Sequence, residues 1–272
     1  MSVEAASAVE TVAELALNWQ QIDQMNFDLK QLKNTVHLWV LDLSQLNLKA
    51  LSDRATKAEQ ARAERIRDPG KRQLYLGGRI GLRHLLCCYS GLDQTSLQIG
   101  YGDRGKPRLE NTPVPGEICF NYTLSKDKVL YSVTMDRQLG VDLETFPRQV
   151  NAESMSRRKL SVAEQAAWAE LPECEKQNAM LSCWTRKEAY GKVTGVGIRY
   201  YLSQAVLFTA LQQPWFQTTR VGMFENSDQT NMPDLFEGVQ IALPFNGVAS
   251  LMYERKHVKE SRLSISASHL KL

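Results

Sequence analysis

The chain lacks long apolar runs and the cysteine spacings of metal-binding or secreted folds. No uninterrupted apolar stretch reaches the roughly 18 residues of a membrane-spanning helix. Its five cysteines form no Cys-x-x-Cys pair, and only Cys87 and Cys88 are adjacent. The first residues also lack the basic and then apolar pattern of a secretory signal. These absences predict a cytoplasmic protein without structural disulfides and without a membrane partner.

Charge of one sign is also scarce. The formal net charge is +3 over 272 residues, which is too small to indicate a nucleic-acid partner. With 43% hydrophobic residues, the chain can form one large domain or two lobes of ordinary size. We therefore expect a globular protein, and the length and pattern predict a monomer.

Two similar strand, helix and sheet patterns follow one another along the chain. A strand with an acidic residue, first Asp42 and then Asp142, precedes a helix that stops at a glycine, and further strands follow. This repetition predicts an α+β fold of two similar α/β lobes. Apolar strands and turns from Gln204 onward are expected to complete the second sheet. The expected domains are an N-terminal helical extension (residues 1–34, from an amphipathic stretch at 4–33), an N-terminal lobe (35–138) and a C-terminal lobe (139–272).

Two carboxylates share one face of the predicted strand Leu139–Phe146. Asp142 and Glu144 alternate there with Val141 and Leu143, and side chains two residues apart in a strand point to the same side. Both acidic side chains should therefore project together from one face of the sheet.

A helix further along the chain carries a compact group of charges. Trp184, Lys187, Glu188 and Lys192 are spaced at i, i+3, i+4 and i+8, which places them on one helical face. A carboxylate from this helix, beside the two from the strand, would make an oxygen site for a hard divalent cation. Lysines nearby favour an anionic ligand. We therefore expect Glu188 and the two strand carboxylates to bind Mg²⁺ against a phosphate-bearing substrate.

The same residues also allow a simpler interpretation. The acidic side chains could be ordinary ion-pair partners of arginine or lysine. Glu188 and Lys192 have the i, i+4 spacing of an exposed helical pair, which stabilises a helix by only a few tenths of a kcal/mol.

The two segments together resemble the signature pair of the Sfp-type 4′-phosphopantetheinyl transferases. The family pattern G-[VI]-D-x-E reads Gly140–Glu144 in this chain, and the later pattern W-x-x-K-E-A-x-x-K reads Trp184–Lys192. Both motifs occur in the family's order, and the similarity extends from about residue 36 to residue 255. The resemblance implies two lobes related by a pseudo-twofold axis, in agreement with the repeated pattern.

The family's reaction defines the substrates that the resemblance implies. Its members transfer the 4′-phosphopantetheine group of coenzyme A to a serine of an apo acyl or peptidyl carrier protein and release 3′,5′-ADP. By this resemblance Asp142, Glu144 and Glu188 bind Mg²⁺, with Mn²⁺ as an alternative. Glu188 is also a candidate base, directly or through a water, and Lys192 has a catalytic or phosphate-contacting role. The carrier could serve fatty-acid, polyketide or peptide synthesis, and the motifs do not select among these.

The resemblance also implies which basic residues bind coenzyme A. Lys106 lies in a Gly-Lys-Pro element that contacts the nucleotide in the family, and Lys187 is expected to face the pyrophosphate. Arg72, in an arginine-rich helical segment, is the first candidate for the 3′-phosphate, and Arg65 is the second. Each of these side chains could instead be an ordinary solvated surface charge.

One position departs from the family pattern. The family has a histidine that contacts coenzyme A in the segment before Gly140, and Leu124 stands in its place in this chain. Leucine cannot donate a hydrogen bond, so this contact is lost unless another residue, such as Lys126, replaces it. Leu124 also leaves open a non-catalytic module that binds carrier proteins or coenzyme A. A third hypothesis is a metal-dependent phosphatase acting on small phosphate esters.

Overall fold

The structure, a computed structural model, describes most of the chain. It covers residues 20–21, 29, 31–103, 105–195, 197, 215–219, 235–255 and 263–269. Contacts divide these residues into two compact units. The first unit contains the described residues of 19–136 and 263–272, and the second contains those of 137–262. Each unit has its own sheet and helices, so the fold is mixed α and β.

Strands and helices both occur in the described part of the chain. The strands are β1 (Gln20–Gln21), β2 (Thr35–Asp42), β3 (Ile99–Tyr101), β4 (Pro107–Leu109), β5 (Ile118–Ser125), β6 (Lys128–Met135), β7 (Leu139–Thr145), β8 (Trp215–Thr219), β9 (Leu235–Ile241), β10 (Gly247–Arg255) and β11 (Ser264–His269). The helices are α1 (Leu48–Leu51), α2 (Lys57–Glu64), α3 (Pro69–Ser90), α4 (Ala152–Lys159), α5 (Val162–Ala169) and α6 (Glu173–Thr194). Of the helices in the described ranges, none combines the length and apolarity that a bilayer crossing requires.

A mixed five-stranded sheet, in the order β1-β11-β2-β6-β5, organises the first unit. Helix α3 packs on it and begins at Asp68, whose side chain accepts a hydrogen bond from the backbone N–H of Lys71. The helix ends at Gly91, where a φ of 72° gives the left-handed conformation of a C-cap. Its apolar side, including Leu82, joins Trp39 of β2 in one buried core.

An antiparallel sheet, in the order β7-β10-β9-β8, organises the second unit. Helix α5 begins with a capping box formed by Ser161 and Glu164. Helix α6, 22 residues long, ends at Gly195, where φ is 71°. Apolar residues of α6, including Met180 and Cys183, pack with Trp168 of α5.

A side chain at Gly140 would not fit between β7 and α6. A Cβ atom at this position would lie 2.3 Å from the carbonyl oxygen of Ala189 and 2.5 Å from the backbone nitrogen of Val193. Because both are backbone atoms, neither can turn away as a flexible side chain could. The glycine therefore allows the strand to contact the helix directly, and it brings the next residues of the strand close to α6.

The structure changes part of the sequence-based prediction. The predicted helix over residues 4–33 lies largely outside the described residues, and a continuous helix is wrong because Gln20–Gln21 is a strand and Gln31–Lys33 a 3₁₀ helix. The C-terminal strands were expected to complete one sheet. Strands β8 to β10 join the second unit, whereas β11 pairs in parallel with β2 in the first. The pseudo-twofold axis stays a prediction. The described strands of the first sheet pair both in parallel and antiparallel, whereas those of the second pair only antiparallel.

Candidate active site

Strand β7 presents two carboxylates to helix α6. Gly140 faces the helix, so the strand alternation places Asp142 and Glu144 on the helix side and Val141 and Leu143 on the opposite side. Asp142 is 7% exposed and Glu144 5% exposed. Buried carboxylates need positive partners, because burial strongly disfavours an isolated charge.

Helix α6 meets this face of the sheet along one stripe of residues. The hydroxyl oxygens of Thr185 and Ser250 are 2.8 Å apart, and Ser250 is opposite Asp142 in the register of β10 and β7. Two turns further, Lys192 donates from Nζ to Asp142 Oδ1 at 2.7 Å and to a β7 carbonyl oxygen at 2.9 Å. Glu188 lies between these two contacts on the same stripe of the helix.

Glu188 is a partly buried carboxylate beside Asp142. Burial raises the pKa of Glu188, and the negative charge of Asp142 raises it further, against the opposing effects of Lys192 and Lys159. The structure therefore brings two acidic residues that are far apart in the sequence within electrostatic reach of one another. A cation between them would relieve their repulsion.

Glu144, the third predicted metal ligand, pairs with an arginine. Its carboxylate contacts the guanidinium of Arg148, four residues later in the chain. With the side chains in these positions, no three His, Cys, Asp or Glu residues of the described ranges converge into a metal-binding group. The donors nevertheless suit a hard divalent cation, because all three are carboxylates and two of them are deeply buried. The metal site stays a prediction, and basic side chains contact Asp142 and Glu144 in the structure.

Lys187 does not face these acids. Its side chain is fully buried, and its ammonium lies 2.6 Å from the equally buried carboxylate of Glu164. Around a helix, Lys187 is about 100° away from Glu188, and this rotation directs it toward α5. The expected contact of Lys187 with a pyrophosphate therefore stays a prediction, and in this structure its ammonium pairs with Glu164 instead.

Glu164, the partner of Lys187, is a residue that the sequence did not identify. Its carboxylate accepts a hydrogen bond from the backbone N–H of Ser161 at 2.7 Å, and the Ser161 hydroxyl accepts one from the Glu164 N–H at 3.3 Å. The same carboxylate pairs with Lys187. The capping box is visible in the sequence as Ser-x-x-Glu, but the ion pair is not, because α5 and α6 meet only in the folded chain.

Arg65 lines a basic cavity in the first unit. The cavity has a volume of about 420 Å³ and is lined by residues of α2, α3 and β3. Its lining includes four arginines and two tyrosines: Arg62, Arg65, Arg79, Arg83, Tyr75 and Tyr101. Glu59 pairs with Arg79 at 3.2 Å, which leaves the lining with a net positive charge. The cavity therefore has the charge that suits an anionic ligand.

The other predicted coenzyme A contacts of the first unit lie outside this lining. Arg72 donates to the Ile66 carbonyl oxygen from Nε at 3.3 Å and from Nη2 at 3.0 Å, which closes the turn between α2 and α3. Lys106 lies in the turn between β3 and β4. Leu124 lies near the end of β5 and is 38% exposed. Arg65 is therefore better placed than Arg72 to contact a ligand in the cavity.

Comparisons with known proteins identify one family. A sequence profile of the 4′-phosphopantetheinyl transferase superfamily matches residues 138–233. The chain is 33% identical over 193 residues to the 4′-phosphopantetheinyl transferase HetI of Nostoc sp., over 70% of this chain and 81% of that protein. The slr0495 protein of Synechocystis sp. is 30% identical over 148 residues, which are 54% of this chain and 60% of that one. A phosphopantetheinyl transferase of Thraustochytrium sp. is 24% identical over 158 residues, or 54% of each chain.

The profile covers β7 and α6, the two elements that carry the candidate site. Together, the mixed α/β fold, the acidic site and the relatives define the chain as a transferase. The chain belongs to the 4′-phosphopantetheinyl transferase superfamily.

Proposed function

We propose that the chain transfers the 4′-phosphopantetheine group of coenzyme A to a serine of an apo acyl or peptidyl carrier protein and releases 3′,5′-ADP. The observation that carries the proposal is the proximity of Asp142 and Glu188 across β7 and α6. These residues lie inside the segment that matches the family profile. The identity to HetI over most of that protein's length supports the same activity in this chain.

The proposed metal ligands are Asp142, Glu144 and Glu188, with Mg²⁺ or Mn²⁺ as the ion. When bound, such an ion supplies positive charge that offsets the negative charge of a diphosphate. Their burial, their carboxylate chemistry and the repulsion between Asp142 and Glu188 support this role. Lys192 holds the Asp142 carboxylate through a 2.7 Å hydrogen bond and so orients it.

In the proposed reaction the serine hydroxyl oxygen attacks the phosphorus nearer to the pantetheine. The phosphorus bond to the leaving 3′,5′-ADP breaks, and Glu188 accepts the serine proton directly or through a water. The raised pKa of Glu188 supports this role, because an ordinary exposed carboxylate is a weak base at neutral pH.

The arginine-lined cavity of the first unit is the proposed binding site for an anionic part of coenzyme A. Arg65 and its neighbours offer guanidinium groups, which bind phosphate through paired hydrogen bonds. Lys106 is a second proposed contact. Arg72 is a third proposed contact, although two of its five N–H donors are directed at the Ile66 carbonyl oxygen.

Intact-mass spectrometry of a panel of apo acyl and peptidyl carrier proteins tests the proposal. Each carrier is incubated with the chain, coenzyme A and Mg²⁺, and parallel reactions omit one component. We expect one carrier to gain the mass of a single phosphopantetheine group, and only in the complete reaction.

The same experiment distinguishes the alternatives. Binding of a carrier without any mass gain would favour a non-catalytic module, which Leu124 in place of the family histidine leaves possible. Release of phosphate from small esters in the absence of every carrier would favour a phosphatase. Either result, with the complete panel unmodified, would contradict the proposed transfer.

A further inference from the structure

Lys159, the last residue of α4, lies outside both sequence motifs. Its ammonium nitrogen lies 4.8 Å from the centroid of the Trp184 ring on α6. Trp184 precedes Glu188 by one helical turn, so the two side chains are neighbours on the helix surface. Both are partly exposed. The ammonium of Lys159 is therefore at the solvent-facing edge of the stripe that carries Glu188.

Both lysines of the second motif have acidic partners in the structure. Lys192 donates to Asp142, and Lys187 is buried against Glu164. Lys159 contributes a third positive charge from a different helix. This charge reaches Glu188, whose pKa it lowers against the larger effect of burial.

The contact between Lys159 and Trp184 is weak enough to be exchanged for a phosphate. An exposed cation–π contact changes an equilibrium by about fivefold at most. A charge-assisted hydrogen bond changes it by roughly tenfold to a hundredfold. A diphosphate at the acidic site would therefore bind the Lys159 ammonium in preference to the Trp184 ring. Without a ligand, the contact with the ring holds the ammonium close to the site.

We propose that Lys159 is a phosphate-binding residue of the transfer site, and that its ammonium binds the diphosphate of coenzyme A. This inference rests on the proposed function, because that function places a diphosphate beside Glu188. It adds to the site a residue from α4 that neither motif contains.

The test compares variants of Lys159 with a matched control. Lys176 makes the same kind of contact in the same unit, with its ammonium 5.2 Å from the Trp168 ring centroid. The dissociation constant of coenzyme A is measured by calorimetry with Mg²⁺ present, and the Michaelis constants of coenzyme A and of the carrier are measured by intact mass. Lys159→Met should weaken coenzyme A binding about tenfold to a hundredfold, whereas Lys176→Met should not change it. Lys159→Arg should restore binding to within a few-fold, because it keeps the charge.

Each outcome decides the inference. If Lys159→Met binds coenzyme A as tightly as Lys176→Met, the lysine only packs against the indole and the inference is wrong. If the Michaelis constant of the carrier alone rises, Lys159 contacts the protein partner instead, which also overturns it. If the unchanged protein transfers nothing, the proposed function fails first. Lys159→Gln replaces Lys159→Met should the latter lose its thermal unfolding transition.

Discussion

At the scale of single residues, the candidate site is a set of acids held by basic side chains. Asp142 accepts from Lys192, and Glu144 pairs with Arg148. Asp142 and Glu144 are nearly inaccessible, whereas the side chain of Arg148 is 41% exposed. Arg148 therefore supplies a positive charge to Glu144 that a metal ion would have to replace, and its partly exposed side chain can move into solvent.

Arg148→Gln should strengthen binding of a divalent ion. The substitution removes a positive charge and an ion pair that competes for Glu144, and a partly exposed pair of this kind is worth up to about 1 kcal/mol, or about fivefold. Titration with Mn²⁺, followed by electron paramagnetic resonance, measures the change. Arg157→Gln is the control, because Arg157 makes an i, i+4 pair with Glu153 at 2.7 Å in an exposed part of α4. Equal affinities of the two variants would show that Arg148 does not compete with the ion.

His37 gives the first unit a pH-dependent stability. Burial lowers the pKa of His37 from 6.5 to about 4, and its Nδ1 lies 2.7 Å from the Tyr89 hydroxyl. In the unfolded chain His37 is therefore protonated below about pH 6.5, whereas in the folded chain it is protonated only below about pH 4. This contribution to stability is complete above pH 6.5 and is lost as the pH falls, by about 3 kcal/mol.

Urea unfolding at a series of pH values measures this effect. His37→Gln carries no titrating ring, so its free energy of unfolding should fall less steeply than that of the unchanged protein between pH 6.5 and pH 4. Parallel curves for the two proteins would mean that His37 titrates normally in the folded chain.

At the scale of elements, α5 and α6 are joined by a buried ion pair. Lys187→Met leaves the Glu164 carboxylate buried without its ammonium partner, which should cost about 3 to 5 kcal/mol of unfolding free energy. Adding Glu164→Gln removes that charge and retains an acceptor for the Ser161 N–H. The double variant should therefore recover most of the loss in urea unfolding. A double variant as unstable as the sum of the single ones would contradict a coupled pair.

Local sequence patterns predicted the strand and the helix of the site, but not the direction in which each of their side chains points. The alternation around Asp142 and the glycine stop at Gly195 correspond to β7 and to the end of α6. Helical spacing alone grouped Lys187 with Glu188, because it does not show which neighbouring residues of a helix face the sheet and which face another helix. Lys187 faces α5, and its partner Glu164 lies near it only in the folded chain.

Non-local pairing limited the prediction in the same way for the sheets. The sequence of β11 does not indicate which strand it pairs with. Its parallel pairing with β2 joins segments that are far apart in the chain. Arg65 and Arg72 are likewise alike in sequence. The fold distinguishes them, because the Ile66 carbonyl engages Arg72 while Arg65 lines the cavity.

At the scale of the whole molecule, the superfamily profile spans β7 and α6, the two elements to which we assign the proposed reaction. The most direct test is carrier modification, read by intact mass, with one acid removed at a time. Asp42→Asn is a matched control, because Asp42 is also a strand residue and pairs with a lysine, Lys128, at 2.8 Å. We expect Asp142→Asn and Glu188→Gln each to slow transfer by about a hundredfold or more, and Asp42→Asn to leave it near the unchanged rate. Transfer at the normal rate by either of the first two variants would contradict the proposed site.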